Sequence, residues 1–275
     1  MKKTKMKNRN IKLAWAIAIA FACGPGQIRG HEIKVLLDQM SPKTGDKDVV
    51  FLSWGHLLPI DRPIRSEDIE QFAIRTPSGS RRQLVAEGES DQRNTVHLEE
   101  QGIYTAEAIR KSAILTIYRV GKQHIHFLGP KTKVRQGATI EESFRSFQYA
   151  KAIVATAPDA QAPKPIGHTL EIVPATGPDG WIVGKDIPFQ ILFEGKPVSG
   201  KQFQAKPISF KPDDVWTWTR PADQDGKAVL RPSEAGTWLI RTVVERPAPA
   251  ADQAEYDRDE WTATLVLEIR EKESP

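Results

Sequence analysis

Apolar residues recur at every second position in short runs along most of this chain, and glycine, proline and aspartate break the runs. Phe189, Ile191 and Phe193 alternate with Gln190, Leu192 and Glu194, so one face of that segment is strongly apolar. A period of two is the spacing of side chains along a β-strand. Glu194-Gly195-Lys196-Pro197 stops the strand, and Val198 to Ala205 returns. Asp225-Gly226 signals a two-residue hairpin, because the favoured turn takes positive φ at both central positions. Gly236-Thr-Trp-Leu-Ile opens a further strand, and Trp261, Ala263, Leu265, Leu267 and Ile269 alternate on the last one.

The first half has the same texture. Ile33, Val35 and Leu37 share one face of a first strand, and Asp48–Trp54 reads as a second. The loop Gly55-His56-Leu-Leu-Pro59-Ile-Asp-Arg-Pro63 follows, stiffened by its prolines. Further strands are predicted near Gln71–Thr76, Arg81–Ala86 and Thr95–Glu99, and a hairpin pair over Gly102–Arg110 and Ala113–Val120. Thr139-Ile-Glu-Glu142 has the form of a capping box, and Ile140, Phe144 and Phe147 fall on one helical face, which predicts a short helix over Ile140–Phe147. Residues 158–165, within APDAQAPKP, are Pro-rich, polar and without period, as a linker is. The expected architecture is all-β: two immunoglobulin-like antiparallel β-sandwich domains in tandem, residues 31–157 and 166–275, with one short helix before the linker.

Residues 1–30 read as a signal peptide. Six lysines and arginines precede Leu13–Cys23, an apolar run of 11 residues. A membrane-spanning helix needs about 20, so this run suits a cleaved leader and the chain is expected in the periplasm, not spanning the membrane. Ala20-Phe21-Ala22 fits the small-x-small rule and would leave Cys23 first, but Ala20 and Phe21 are poor neighbours for a lipidated cysteine. Cleavage after Gly30 would instead make His31 the new N-terminus, although Ile28 and Arg29 make a weak site there. Without the seven basic residues of the leader, 32 basic residues face 35 acidic ones, a formal charge of −3. That balance excludes nucleic acid as a partner. Cys23 is the single cysteine, so the mature chain has neither a disulfide nor a thiol nucleophile and must be stabilised by burial.

Histidine is where the chemistry concentrates, because imidazole suits nickel, cobalt, copper and zinc. His31 offers an amine as well as a ring if cleavage falls after Gly30. His56 sits in a loop held by a strand end. His124 and His126 are spaced i, i+2, so on a strand they point to one face. His97 and His168 read as structural. The carboxylates of Asp252, Glu255, Asp257, Asp259 and Glu260 lack the spacing and glycine of a calcium loop and read as a solvated surface. Trp216 and Trp218 share a face if extended and read as a cross-strand pair. There is no Gly-x-Ser-x-Gly, no His-Glu-x-x-His and no Gly-rich phosphate loop, so no enzyme is expected.

The ordered phrases GHTLEIVP, FQILFEGKPVSG, DGKAVL, GTWLI and WTATLVLEI resemble a bacterial periplasmic family of unknown function associated with nickel and cobalt uptake. The resemblance extends over most of residues 31–270 and matches a histidine soon after the leader, His31, and a Gly-His loop, Gly55-His56. It implies a periplasmic accessory protein that binds nickel or cobalt for an uptake system, with a membrane transporter or outer-membrane receptor as partner. One departure stands out: after Gly236-Thr-Trp-Leu-Ile the strand reads Arg241-Thr-Val-Val, so no histidine is available there. The alternative is an envelope binding module, immunoglobulin-like and non-catalytic, that docks a protein or glycan without metal.

Overall fold

A computed structural model describes residues 31–56, 61–208 and 215–272. Residues 1–30, expected to be a leader and containing Cys23, and Leu57–Ile60 of the Gly-His loop lie outside the described residues. In chain order the first strands are β1 (Glu32–Leu37), β2 (Lys47–Gly55), β3 (Ile64–Arg65), β4 (Ile69–Arg75), β5 (Arg81–Gln83), β6 (Glu89–Ser90) and β7 (Asn94–His97). Two long strands, β8 (Ile103–Val120) and β10 (Thr139–Ala155), flank β9 (Gln123–Leu128). The second half adds β11 (Leu170–Pro174), β12 (Ile187–Phe193), β13 (Lys196–Pro197), β14 (Gln202–Pro207), β15 (Trp218–Pro221), β16 (Lys227–Leu230), β17 (Gly236–Pro247) and β18 (Arg258–Ile269). Among the described residues helix is confined to single 3-10 turns such as Ser66–Asp68.

The chain is an all-β sandwich built on one nine-stranded sheet, ordered β15-β14-β17-β18-β10-β8-β4-β5, with β9 on the free part of β8. Its centre is the parallel pairing of β10 with β18, from Phe144↔Arg258 to Ala152↔Val266. The segment 158–165 therefore joins two halves that share a sheet, and each half contributes strands to its centre. A small sheet, β1-β2-β7, covers one face, and β11-β12-β13 with β16 covers the other.

The period of two explains how one sheet serves two cores. On β10, Ala150, Ala152 and Val154 face Ile33, Val35, Val50 and Leu52, while Tyr149 and Ile153 face Leu170, Ile172 and Ile191. On β17 and β18, Leu239 and Val266 join the first core, whereas Ile240, Leu265 and Leu267 join the second. Strands buried on both faces read as continuous apolar runs, as Leu265-Val266-Leu267 does. Each such aliphatic side chain contributes about 1.5–3 kcal/mol on burial, which is how a sandwich without disulfides is held.

The helix expected over Ile140–Phe147 is instead the start of strand β10. β10 pairs with β8 from Thr139↔Arg119 onward, and the register slips between Ile140 and Glu142 and again between Ser146 and Gln148. Each bulge inserts a residue and breaks strict alternation, so Phe144 and Phe147 acquire a helical spacing while lying in a strand. Asp225-Gly226 also does not close a hairpin: β15 pairs with β14, and β16 crosses to β12. Trp216 packs on the first core and Trp218 on the second, so they do not pair. Val215–Thr217 are not in a strand, and alternation does not govern them.

Candidate metal centre

The register of the first hairpin decides which histidines meet. β1 and β2 run antiparallel from Leu37↔Val50 to Glu32↔Gly55. The next residues outward are His31 and His56, so residues 25 apart in sequence leave the sheet opposite each other. Their rings are 4.9 Å apart, edge to face. Trp54, on β2 two residues before His56, meets the His31 ring edge-on at 5.7 Å, and Arg110 from β8 lies over the Trp54 ring at 4.5 Å.

Both histidines are carried by fixed backbone. The Gln148 amide donates to the His31 carbonyl (2.8 Å) and its oxygen accepts from the Ile33 N–H (2.9 Å). Buried Lys34 donates to the carbonyls of Glu32 and Gly55, tying the end of β1 to the end of β2. Glu32 in turn holds buried Arg241 (3.0 Å). On the His56 side, the chain returns through an Arg62 N–H donated to the Trp54 carbonyl (3.0 Å), and the Asp61 carboxylate accepts the His56 N–H (2.9 Å). Gly55 makes room for that carboxylate: its φ is +123°, and a Cβ would lie 2.2 Å from Asp61 Oδ2.

The electrostatics favour a neutral His31. Partial burial, then the neighbouring His56 and Arg62, lower its pKa to about 4 against the opposing pull of Asp61. An imidazole must be deprotonated to bind a metal, and His31 is so at neutral pH. The donors in this corner are two imidazoles with a carboxylate close by, a set that suits a borderline divalent ion.

The other candidates behave differently. His126, exposed on β9, is close enough to push on the charge of His31 but makes no ring contact with it. His124 is paired with Glu141 through Nδ1 at 2.8 Å. Among the described residues no group of three His, Cys, Asp or Glu side chains converges with the geometry to hold a metal. Asp61 and Gln148 escaped the sequence reading. Asp61 stands five residues beyond His56 in the same loop, which is a signal that could have found it; Gln148 is 117 residues from His31 and gave none.

His168 is buried against Tyr149 and lies 3.4 Å from Glu107, which also holds Arg75 at 3.3 Å and Arg81. Glu171, three residues on, pairs with Lys151 at 2.7 Å and accepts the N–H groups of Ile166 and Gly167. The phrase GHTLE is thus a staple between β11 and the long strands β8 and β10. The acidic loop is engaged by cations: Arg145 reaches Asp259 and Asp252, and Lys131 reaches Asp257. A cavity of about 730 Å³ under residues 157–166 is lined by Arg75, Gly102 and Lys164 and by none of the candidate histidines. Its lining is polar, with Thr76, Ser78, Gln101, Asp159 and Gln161 beside the two cations, and it is separate from the histidine pair.

No curated protein matches the chain. Among solved structures, the D0-D1 domain of Intimin matches at 12% identity, covering 86% of this chain and 97% of that one, with a TM-score of 0.20. One family model spans residues 28–246. By that match the chain belongs to the family described as Domain of unknown function (DUF4198).

Proposed function

We propose that this is an exported, metal-binding accessory protein that holds a divalent transition-metal ion, nickel or cobalt, at His31 and His56 and passes it to an uptake system. The observation that carries the reading is the ring contact of these two histidines at 4.9 Å, made by the register of a single hairpin. Two imidazoles held in contact and partly exposed at a sheet end are placed to act together as ligands. The lowered proton affinity of His31 supports the reading further, since protons compete with metal for the same nitrogen.

The test is metal content and affinity of the mature protein, purified without a polyhistidine tag. Elemental analysis and titration calorimetry with nickel, cobalt, copper and zinc are expected to give micromolar or tighter binding, lost in His31→Ala and in His56→Ala. Trp54 supplies an optical readout beside the site: nickel should quench its emission, and Trp54→Phe should remove that part of the quenching. Absence of binding to all four ions would overturn the reading.

A second reading has its own support. Arg246 lies over Phe193 and Trp261, Trp261 stacks on Phe147, and Arg145 covers Phe147 and Tyr256. This arginine–aromatic ladder suits a non-catalytic envelope module that docks a protein or glycan. It is favoured if metal binding fails and a glycan or partner protein protects Trp261 from solvent.

A further inference from the structure

The histidine pair raises a question of donor count. Two imidazoles meet, and no third side chain among the described residues completes a ready cluster. Yet the compact body of the protein begins at His31, with β1 starting at the very next residue. Before it the basic start and the apolar run Leu13–Cys23 are followed by the short Gly-Pro-containing stretch Gly24–Gly30. The residue at this boundary is thus one whose backbone nitrogen becomes a primary amine if the leader is removed there.

We propose that cleavage after Gly30 completes the site: the freed α-amine and the ring of His31 chelate one ion together with the ring of His56, a three-nitrogen set that takes copper(II) first, nickel(II) second and cobalt(II) last. This rests on the metal-binding reading above and adds to it the ligand set and the order of preference.

Three observations carry it. The amine and Nδ1 of one histidine close a small chelate ring without help from the fold, so only the direction of the residue has to be set. Gln148 sets it, by gripping the His31 carbonyl and the Ile33 N–H from a buried position on β10. Second, the partner ring is already within 4.9 Å, and metal–nitrogen bonds of about 2 Å are reached by turning two side chains, not by moving strands. Third, the corner carries a carboxylate, Asp61, fixed by the His56 N–H, which offsets part of the charge of an arriving dication. Nitrogen-rich tetragonal sets are suited to copper(II) and nickel(II), and divalent affinity rises from cobalt through nickel to copper. A donor set of this kind ranks cobalt last.

The experiment compares two forms of the full folded body. One is the chain exported and processed through its own leader, its N-terminus read by mass spectrometry. The other has a folded carrier and linker fused directly to His31, so that its nitrogen is a peptide amide. Copper(II) bound to the processed chain is expected to give a tetragonal electron paramagnetic resonance spectrum with hyperfine structure from three nitrogens. Two donors in one residue bind as a linked pair, so the fusion should lose about 100-fold or more in copper affinity, with circular dichroism unchanged. Competition should follow the order copper, nickel, cobalt. Equal copper affinity in both forms, or a mature N-terminus other than His31, would overturn this inference. In those cases binding that still depends on His31 and His56 leaves the metal-binding reading standing. A processed chain that binds no metal overturns both.

Discussion

Gln148 and His31 are joined across 117 residues by a single amide, which donates to the His31 carbonyl at 2.8 Å while its oxygen accepts the Ile33 N–H at 2.9 Å. Gln148 sits beside the second bulge of β10 and alternates with Ala150, Ala152 and Val154 on the face that β1 covers. Gln148→Leu keeps the volume and removes both hydrogen bonds. It strands a buried N–H and a carbonyl, at a cost of about 1–3 kcal/mol. Metal affinity is expected to fall by about tenfold, in line with other groups that orient a ligand. Titration calorimetry beside thermal unfolding checks this; a variant with lowered Tm but wild-type affinity would mean that Gln148 serves the fold alone.

Gly55 tests the other side of the corner. Its φ of +123° is a region that other residues avoid, and a Cβ would collide with Asp61 Oδ2 at 2.2 Å. Gly55→Ala must either displace Asp61, releasing the His56 N–H, or shift the end of β2. A loss of about 1–3 kcal/mol is expected, together with weaker metal binding, because the His31–His56 contact depends on this strand end. Denaturant unfolding measures the first and calorimetry the second. An alanine tolerated in both would show that the turn is softer than its geometry implies.

How much of this could be read from the chain follows from the range of each interaction. The alternation of Ile33, Val35 and Leu37, or of Phe189, Ile191 and Phe193, is local and gave strands where strands occur. The pairing of β10 with β18 is not local, and nothing in either segment announces it. Bulges defeat periodicity from within: Phe144 and Phe147 read as a helical face because the register slips between Ser146 and Gln148. His31 and His56 were legible as residue types beside a turn, but their meeting is set by the Glu32↔Gly55 register. A slip of one residue would have sent the rings to opposite faces. Glu107 and Lys151 sit in strands that read as ordinary half-buried ones, and their partners His168 and Glu171 come from distant parts of the chain.

His124 and His126 separate the sequence pattern from the site. Both lie on β9 at the same strand spacing, but His124 is held by Glu141 at 2.8 Å, whereas His126 acts on the charge of His31. His124→Ala is expected to leave metal affinity within about twofold of wild type, since an exposed pair of this kind is worth at most about 1 kcal/mol to its surroundings. His126→Ala removes a spare donor near the pair, and should change affinity measurably. Parallel titrations of the two variants decide it. A large loss in His124→Ala would mean that Glu141 yields the ring to the metal.

The buried group around Glu107 predicts the response to acid. Burial alone would raise its pKa, but His168, Arg81 and Arg75 outweigh this and hold the carboxyl at about 2. A lowered folded pKa contributes stability that is present above the unfolded value of about 4.5 and is lost as pH falls toward about 2. His168 acts earlier: burial, aided by Lys151, lowers its pKa against the pull of Glu107, so the unfolded chain takes up a proton first below about 6.5. Tm should therefore decline in two stages as pH falls, and the lower stage is worth on the order of 2–3 kcal/mol. Glu107→Gln should lower Tm at pH 7 and flatten the decline between about pH 4.5 and 2. An unchanged slope would assign acid sensitivity to other carboxylates.

Lys151 and Glu171 show which polar residues join the two halves. Their charged atoms are 2.7 Å apart, and both side chains are almost fully buried between β10 and β11. Burial pushes the Lys151 pKa down, and Glu171 pulls against it; the Ile166 and Gly167 N–H groups satisfy the remaining lone pairs of Glu171. Removing one partner leaves a charge in the sheet interface, so Lys151→Met is expected to cost about 3–5 kcal/mol. The double variant Lys151→Met, Glu171→Gln keeps most of the volume and carries no stranded charge. It should recover a good part of that loss, because desolvation offsets much of what a buried pair gains. A double-mutant cycle in urea reads the coupling directly. Additive losses would mean that each side chain is held by its own strand, and that the apolar core alone keeps the halves together.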